Sequence, residues 1–180
     1  MTPPDGGWRY LVALGSNVRH GRHGGPRRVL AAAVAALADH VTVAAVAPVI
    51  VTAPVGPSLR RYANGAVVVR TALAPDALLA LLKAVERGFG RRRGRRWGAR
   101  VLDLDIVLWS GGIWRGKGLA VPHRGFRGRD FVLLPATRIA ADWRDPATGL
   151  TVAQLYGRLT RPRPLPKRGV PKAATPGKGP

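Results

Sequence analysis

Asp103 and Asp105 stand two positions apart in the segment VLDLDIVLW, residues 101–109, whose other members are all apolar. In a strand, residues i and i+2 share a face, so both carboxylates point one way while Leu102, Leu104 and Ile106 point the other, into a core. Neighbouring carboxylates repel, and ionising both is costly unless a cation lies between them. Mg²⁺ takes oxygen ligands and is often held by one or two carboxylates plus substrate phosphates. Just upstream, residues 91–100 are a run of arginines broken by Gly94, Trp97, Gly98 and Ala99, and guanidinium groups suit phosphate oxygens. Metal ligands beside phosphate ligands point to nucleotide chemistry. Two plainer readings compete with this one. A DLD strand can be a solvated edge with no ligand, and an arginine run can be a solvated face.

Such groups need a scaffold, and the composition allows one. The 180 residues suit a single domain with a full hydrophobic core, and an apolar fraction of 46% argues against global disorder. The chain has no cysteine, which excludes disulfides and thiolate metal sites. No apolar run approaches the ~18 residues of a membrane span, and MTPPDGGWRY is not expected to act as a secretory signal. A cytoplasmic enzyme is expected. The net charge of +21 favours anionic partners. However, arginine dominates lysine, and Ala, Gly and Pro are abundant, as a GC-rich genome would also produce. Part of the charge lies in residues 158–178, where no acidic residue offsets it.

Along the chain, residues 9–14 (RYLVAL) read as a strand, followed by a turn at Gly15-Ser16-Asn17 and a polar, Gly-rich loop. Leu30, Ala33, Val34 and Leu37 recur at helical spacing. Residues 41–51 read as a second strand in which Pro48 marks an edge or bulge. A turn-rich loop at 52–61 precedes a third strand at 66–71. Pro75 opens a second helix with the stripe Leu78, Leu81, Leu82, Val85 and Phe89, and Gly88 and Gly90 close it. A basic loop at 90–98 leads into a fourth strand at 101–109. The order βαββαβ predicts an α+β, ferredoxin-like sandwich with helices on one face of an antiparallel sheet, plus extra C-terminal elements. These elements include a loop with His123, a Phe-Val-Leu-Leu segment and a short helix at 152–159. The expected organisation is a flexible N-terminus at 1–8, one domain at 9–160, and a disordered basic Pro/Gly-rich tail at 161–180.

Four segments, ALGSN at 13–17, TAPVGP at 52–57 with YAN at 62–64, GRRRGRRWGARVLDLDI at 90–106, and VPHRGFRGRDFVLLP at 121–135, closely resemble the 6-hydroxymethyl-7,8-dihydropterin pyrophosphokinase family. Four motifs in order are far more specific than one, and the resemblance covers roughly residues 9–158. It implies a ferredoxin-like fold and transfer of pyrophosphate from ATP to the pterin hydroxymethyl group, releasing AMP, in folate biosynthesis. It further implies that Asp103 and Asp105 hold two Mg²⁺ ions, and that Arg91 and Arg100 are catalytic arginines on the phosphates. Arg93, Arg96 and Trp97 match a mobile loop that closes over ATP. A core position for Trp97 fits poorly with its Arg- and Gly-rich surroundings.

His123 and Arg129 match ATP-phosphate ligands. Glu86 matches a helix position facing the nucleotide, although a solvated helix face explains it almost as well. Ile106 matches an adenine-contacting position, which a core role explains equally. Tyr62 and Phe131 match two rings that sandwich the pterin, Asn64 matches a side chain that hydrogen-bonds it, and Thr52, Pro54, Val55 and Gly56 match the pocket lining. Without the resemblance, Tyr62 and Phe131 would read as ordinary core aromatics.

The chain departs from the family pattern at Lys83, where a neutral residue is common, and at Ala99 and Arg124. The lid between Arg93 and Trp97 is about one residue shorter than in some relatives, judged by motif alignment. The loop after Asn17 is longer and more basic, and its His20 and His23 read as solvated. Two other functions compete. An RNA-recognition module would share the fold class and the charge, but should show exposed strand aromatics in a K/R-G-F-G-F-V-like pattern, which this chain lacks. A pseudoenzyme would not be expected to keep both aspartates, both arginines and both pterin-facing rings. No membrane and no specific nucleic-acid partner are expected, beyond weak binding of polyanions by the tail. A monomer is expected.

Overall fold

A computed structural model describes residues 2–53, 61–90 and 101–162. Strand β1 (Trp8–Ser16) buries side chains on both faces, as a central strand must. Helix α1 (Pro26–Ala38) follows, with Pro26 in its first turn, where a missing N–H is harmless. Next come β2 (Thr42–Val46), β3 (Ile50–Thr52) and β4 (Tyr62–Thr71). Helix α2 (Pro75–Gly88) and β5 (Asp103–Trp109) complete the main sheet. Its order is β2-β4-β1-β5, with β3 on the same edge of β4 as β2, and all pairings are antiparallel.

The expected second strand is thus two short ones separated at Pro48. Proline cannot donate to a ladder, so β2 pairs with one end of β4 and β3 with the other. Strand β4 begins four residues before the predicted start at 66. Asn64 and Gly65 have low strand propensity, and pairing with β1, joined at Asn64 by pairing with β3, overrides it. Trp8, expected in the flexible N-terminus, is instead the first strand residue. It is buried, with its ring centroid 5.0 Å from that of Trp109.

One sheet face carries α1 and α2. There Tyr10, Val12 and Leu14 of β1 and Leu104 and Ile106 of β5 pack against Leu30, Leu37, Leu78 and Leu82. Each such fully buried side chain contributes roughly 1.5–3 kcal/mol. The two helices of the βαββαβ unit thus share one face, as expected, and the extra C-terminal elements cover the other. After a small hairpin of β6 (Trp114–Gly116) and β7 (Leu119–Val121), a 3₁₀ turn at Phe126–Gly128 leads into α3 (Asp130–Thr137). Helix α4 (Val152–Thr160) follows, capped reciprocally by Thr151 and Gln154. Phe126, Val132, Leu133 and Leu155 pack on Leu11, Ala66 and Val68, the opposite face of the sheet. Pro135 sits inside α3, a placement that hid this helix from sequence periodicity. Residues 163–180, which include most of the expected tail, lie outside the described residues.

Candidate active site

The site is built on three adjacent strands. Gly15 of β1 pairs with Asn64 of β4 on one side and Asp103 of β5 on the other. One step along, Ala13 pairs with Ala66 and Asp105. Period-two alternation puts Asp103 and Asp105 on the face that carries α3, while Leu104 and Ile106 enter the core beneath. A Cβ built on Gly15 would lie 3.6 Å from Asn64 Oδ1 and 3.9 Å from Asp103 Cβ. Gly15 therefore forms an open floor between these two side chains.

Asn64 is buried, and its Nδ2 donates to Thr52 Oγ1 at 2.8 Å. That bond fixes which end of the amide faces the site. Tyr62, paired with Thr52, is half-buried two residues before Asn64 and so shares its face.

The third wall is the segment from His123 to Phe131. The His123 N–H donates to the Val107 carbonyl at 3.0 Å, which ties the loop to β5. His123 Nδ1 accepts the Gly125 N–H at 3.2 Å, so the neutral ring offers Nε2–H to a ligand. Burial lowers the pKa of this imidazole. Asp105 and Asp103 pull it up, while Arg129 pushes it down further. Gly125 makes room for Arg129, since a Cβ there would lie 3.2 Å from the guanidinium. Arg129 in turn lies 5.9 Å from the centre of the Phe131 ring.

Sequence reasoning missed the anchor of this wall. Arg127 Nε and one of its terminal nitrogens donate to the buried Asp145 at 2.6 and 2.7 Å. Thr148 Oγ1 donates to the same carboxylate at 2.6 Å and the Ala147 N–H at 3.1 Å. The available signal was the Asp145-Pro146 turn, in which an aspartate caps its own backbone.

The structure brings together Thr52, Tyr62, Asn64, Asp103, Asp105, His123, Arg129 and Phe131 around one sheet face. Arg91, Arg93, Arg96, Trp97, Arg100, Pro54, Val55 and Gly56 lie outside the described residues. Two of the candidate positions face the interior. Ile106 is 2% exposed, with its side chain on the core face away from the aspartates, which leaves only its backbone to meet a nucleotide. Glu86 is fully buried on α2, neither solvated nor turned outward. Its Oε1 accepts the Leu104 N–H at 2.8 Å.

Among the described residues no group of three or more His, Cys, Asp or Glu could hold a metal. Two carboxylates on one face still fit Mg²⁺, which completes its shell with water and phosphate oxygens.

A family model described as 7,8-dihydro-6-hydroxymethylpterin-pyrophosphokinase (HPPK) matches residues 11–141. The chain belongs to this family. It is 40% identical over 141 residues to the 2-amino-4-hydroxy-6-hydroxymethyldihydropteridine pyrophosphokinase of Pseudomonas aeruginosa, covering 77% of this chain and 84% of that one. Against the Bacillus subtilis protein of the same name, identity is 38% over 146 residues, 79% of this chain and 84% of the relative. The match to the Synechocystis protein is 41% identical over 104 residues, 58% of this chain, and spans about half of that relative, 53%.

The structure also resembles that of Plasmodium falciparum HPPK-DHPS, with a TM-score of 0.63 at 12% identity over 84% of this chain and 44% of the other. That likeness concerns the fold, the ferredoxin-like arrangement expected above. As an HPPK family member the chain is an ATP-dependent pterin pyrophosphokinase, a transferase of folate biosynthesis. The RNA-recognition alternative gives way: the sheet face such a module would use for bases is partly covered here by α3.

Proposed function

We propose that this chain binds 6-hydroxymethyl-7,8-dihydropterin at Asn64, Tyr62 and Phe131 and ATP phosphates at Asp103, Asp105, His123 and Arg129, and joins them across Gly15. The observation that carries this reading is the single row Asn64–Gly15–Asp103 across three strands. It sets an amide that can read a heterocycle beside a carboxylate that can hold a phosphate-bound cation. Asn64, oriented by Thr52, offers donor and acceptor to the pterin edge, and Tyr62 and Phe131 stack on its faces. Thr52, with Pro54, Val55 and Gly56, lines the pocket.

His123 donates from Nε2, and Arg129 forks onto phosphate oxygens. Asp103 and Asp105 would hold two Mg²⁺ ions, which would supply positive charge to the phosphates and the leaving AMP. Arg91 and Arg100 add positive charge at the transferring phosphorus, and Arg93, Arg96 and Trp97 close over ATP and exclude water. The pterin hydroxyl attacks the β-phosphorus in line, and AMP leaves. Positioning and electrostatics supply most of the acceleration. No helix among the described residues is long and apolar enough to cross a membrane, and we read the enzyme as a cytoplasmic monomer.

The test is AMP release from MgATP with and without 6-hydroxymethyl-7,8-dihydropterin. Pterin-dependent AMP should fall on the order of 10²-fold or more in Asp103→Asn and in Asp105→Asn. AMP formation that ignores the pterin, or survives both substitutions, refutes the assignment.

A further inference from the structure

Among the described residues, strand β5 ends the sheet on the side away from β1, and no strand pairs with its outward backbone groups. At Leu104 helix α2 takes that place. Glu86 Oε1 accepts the Leu104 N–H at 2.8 Å, and Lys83 Nζ donates to the same Oε1 at 2.7 Å and to the Leu104 carbonyl at 3.2 Å. One ion pair thus satisfies both backbone groups of one residue, as a further strand would. A carboxylate is costly to bury unless paired and hydrogen-bonded; here Lys83 pairs with it and the Leu104 N–H donates to it. Packing of α2 alone would be served by an apolar residue at 86. Leu104 lies between Asp103 and Asp105, and α2 is itself fixed in the core by Leu78, Leu82 and Val85.

We propose that Lys83 and Glu86 are positioning residues: they clamp the Leu104 backbone to α2 and so aim the Asp103 and Asp105 carboxylates. This rests on the metal-binding reading of those two aspartates. Mg²⁺ demands near-octahedral ligands at short range, and its carboxylates must be held to about half an ångström. Rotation of the Leu104 peptide would tilt both aspartates together.

Lys83→Met removes the donor from a side chain that is 32% exposed, and Lys83→Gln retains an N–H donor. Three quantities are read: hydrogen exchange at the Leu104 amide, affinity for Mn²⁺ by paramagnetic relaxation, and the Mg²⁺ concentration giving half-maximal AMP formation. In Lys83→Met the Leu104 amide should exchange about tenfold faster. Mn²⁺ should bind more weakly and the Mg²⁺ requirement should rise several-fold, with KM for ATP at saturating Mg²⁺ unchanged. Lys83→Gln should recover most of each loss. A raised KM for ATP with unaltered Leu104 exchange and Mg²⁺ requirement overturns the proposal, because Lys83 would then touch the nucleotide. No change in any readout overturns it as well. Exchange and Mn²⁺ binding need no turnover. A wild-type protein that releases no AMP therefore refutes the proposed function, and the clamp is then judged on those two measurements alone.

Discussion

Replacing Asp145 by alanine should destabilise the protein and weaken ATP binding together. The carboxylate receives two bonds from Arg127 at 2.6 and 2.7 Å, one from Thr148 at 2.6 Å and one from the Ala147 N–H at 3.1 Å. Breaking a buried ion pair typically costs about 3–5 kcal/mol, because one charge is stranded. Arg127 is one-third exposed (33%) and can rehydrate, which lowers the figure to about 2–4 kcal/mol. For a chain of this size that corresponds to a melting point about 5–15 °C lower at pH 7.

The loss should depend on pH in a defined direction. Burial alone would raise the Asp145 carboxyl, but hydrogen bonds from Arg127, Thr148 and Ala147 outweigh it and hold the pKa below its ordinary value of 3.8. A group with a depressed folded pKa stabilises above its unfolded pKa, and loses that contribution as pH falls through the folded value. Wild type and Asp145→Ala should therefore converge in stability below about pH 4. Thermal melts from pH 7 to pH 3 test this, and KM for ATP should rise because Arg127 sits between His123 and Arg129. A drop under 2 °C at pH 7, or a gap that persists at acid pH, rules out a stabilising Arg127–Asp145 pair.

Gly15→Val should lower turnover at least tenfold with melting changed by no more than a few degrees, since the added methyls enter the floor between Asn64 and Asp103; activity and melts on one preparation check this. Thr52→Val frees the Asn64 amide, and KM for the pterin should rise about 2- to 10-fold with KM for ATP unmoved, as steady-state kinetics would show. Truncation to residues 1–160 should leave AMP release intact and reduce nonspecific nucleic-acid binding in a mobility-shift assay; equal binding by both forms would clear the tail of that role.

Much of the site was legible because its signals are local. The i, i+2 spacing of Asp103 and Asp105 sets their shared face through strand geometry alone, and Pro75 and Gly90 bracket α2 through their own backbone preferences. What escaped depends on partners distant in sequence. Glu86 reads as a nucleotide-facing or solvated helix residue until Leu104, 18 positions away, is placed against it. Arg127 looks solvated until Asp145 arrives from the far side of α3. Helix α3 was missed because it buries its faces against both the sheet and α4, which erases the one-sided stripe, and because Pro135 lies within it. Ile106 illustrates the converse: alternation alone places it in the core, and the structure agrees.

The pairing of Asn64, Gly15 and Asp103 across adjacent strands also acts as a ruler. Neighbouring strands lie about 4.8 Å apart, so the Asn64 amide and the Asp103 carboxylate, proposed above to face the pterin and the phosphates, are roughly 9.5 Å apart at the backbone. Side-chain motion and loop closure do not alter that span, because it is fixed by two rows of main-chain hydrogen bonds. On the proposed assignment, the gap between the two substrates is thus a property of the sheet.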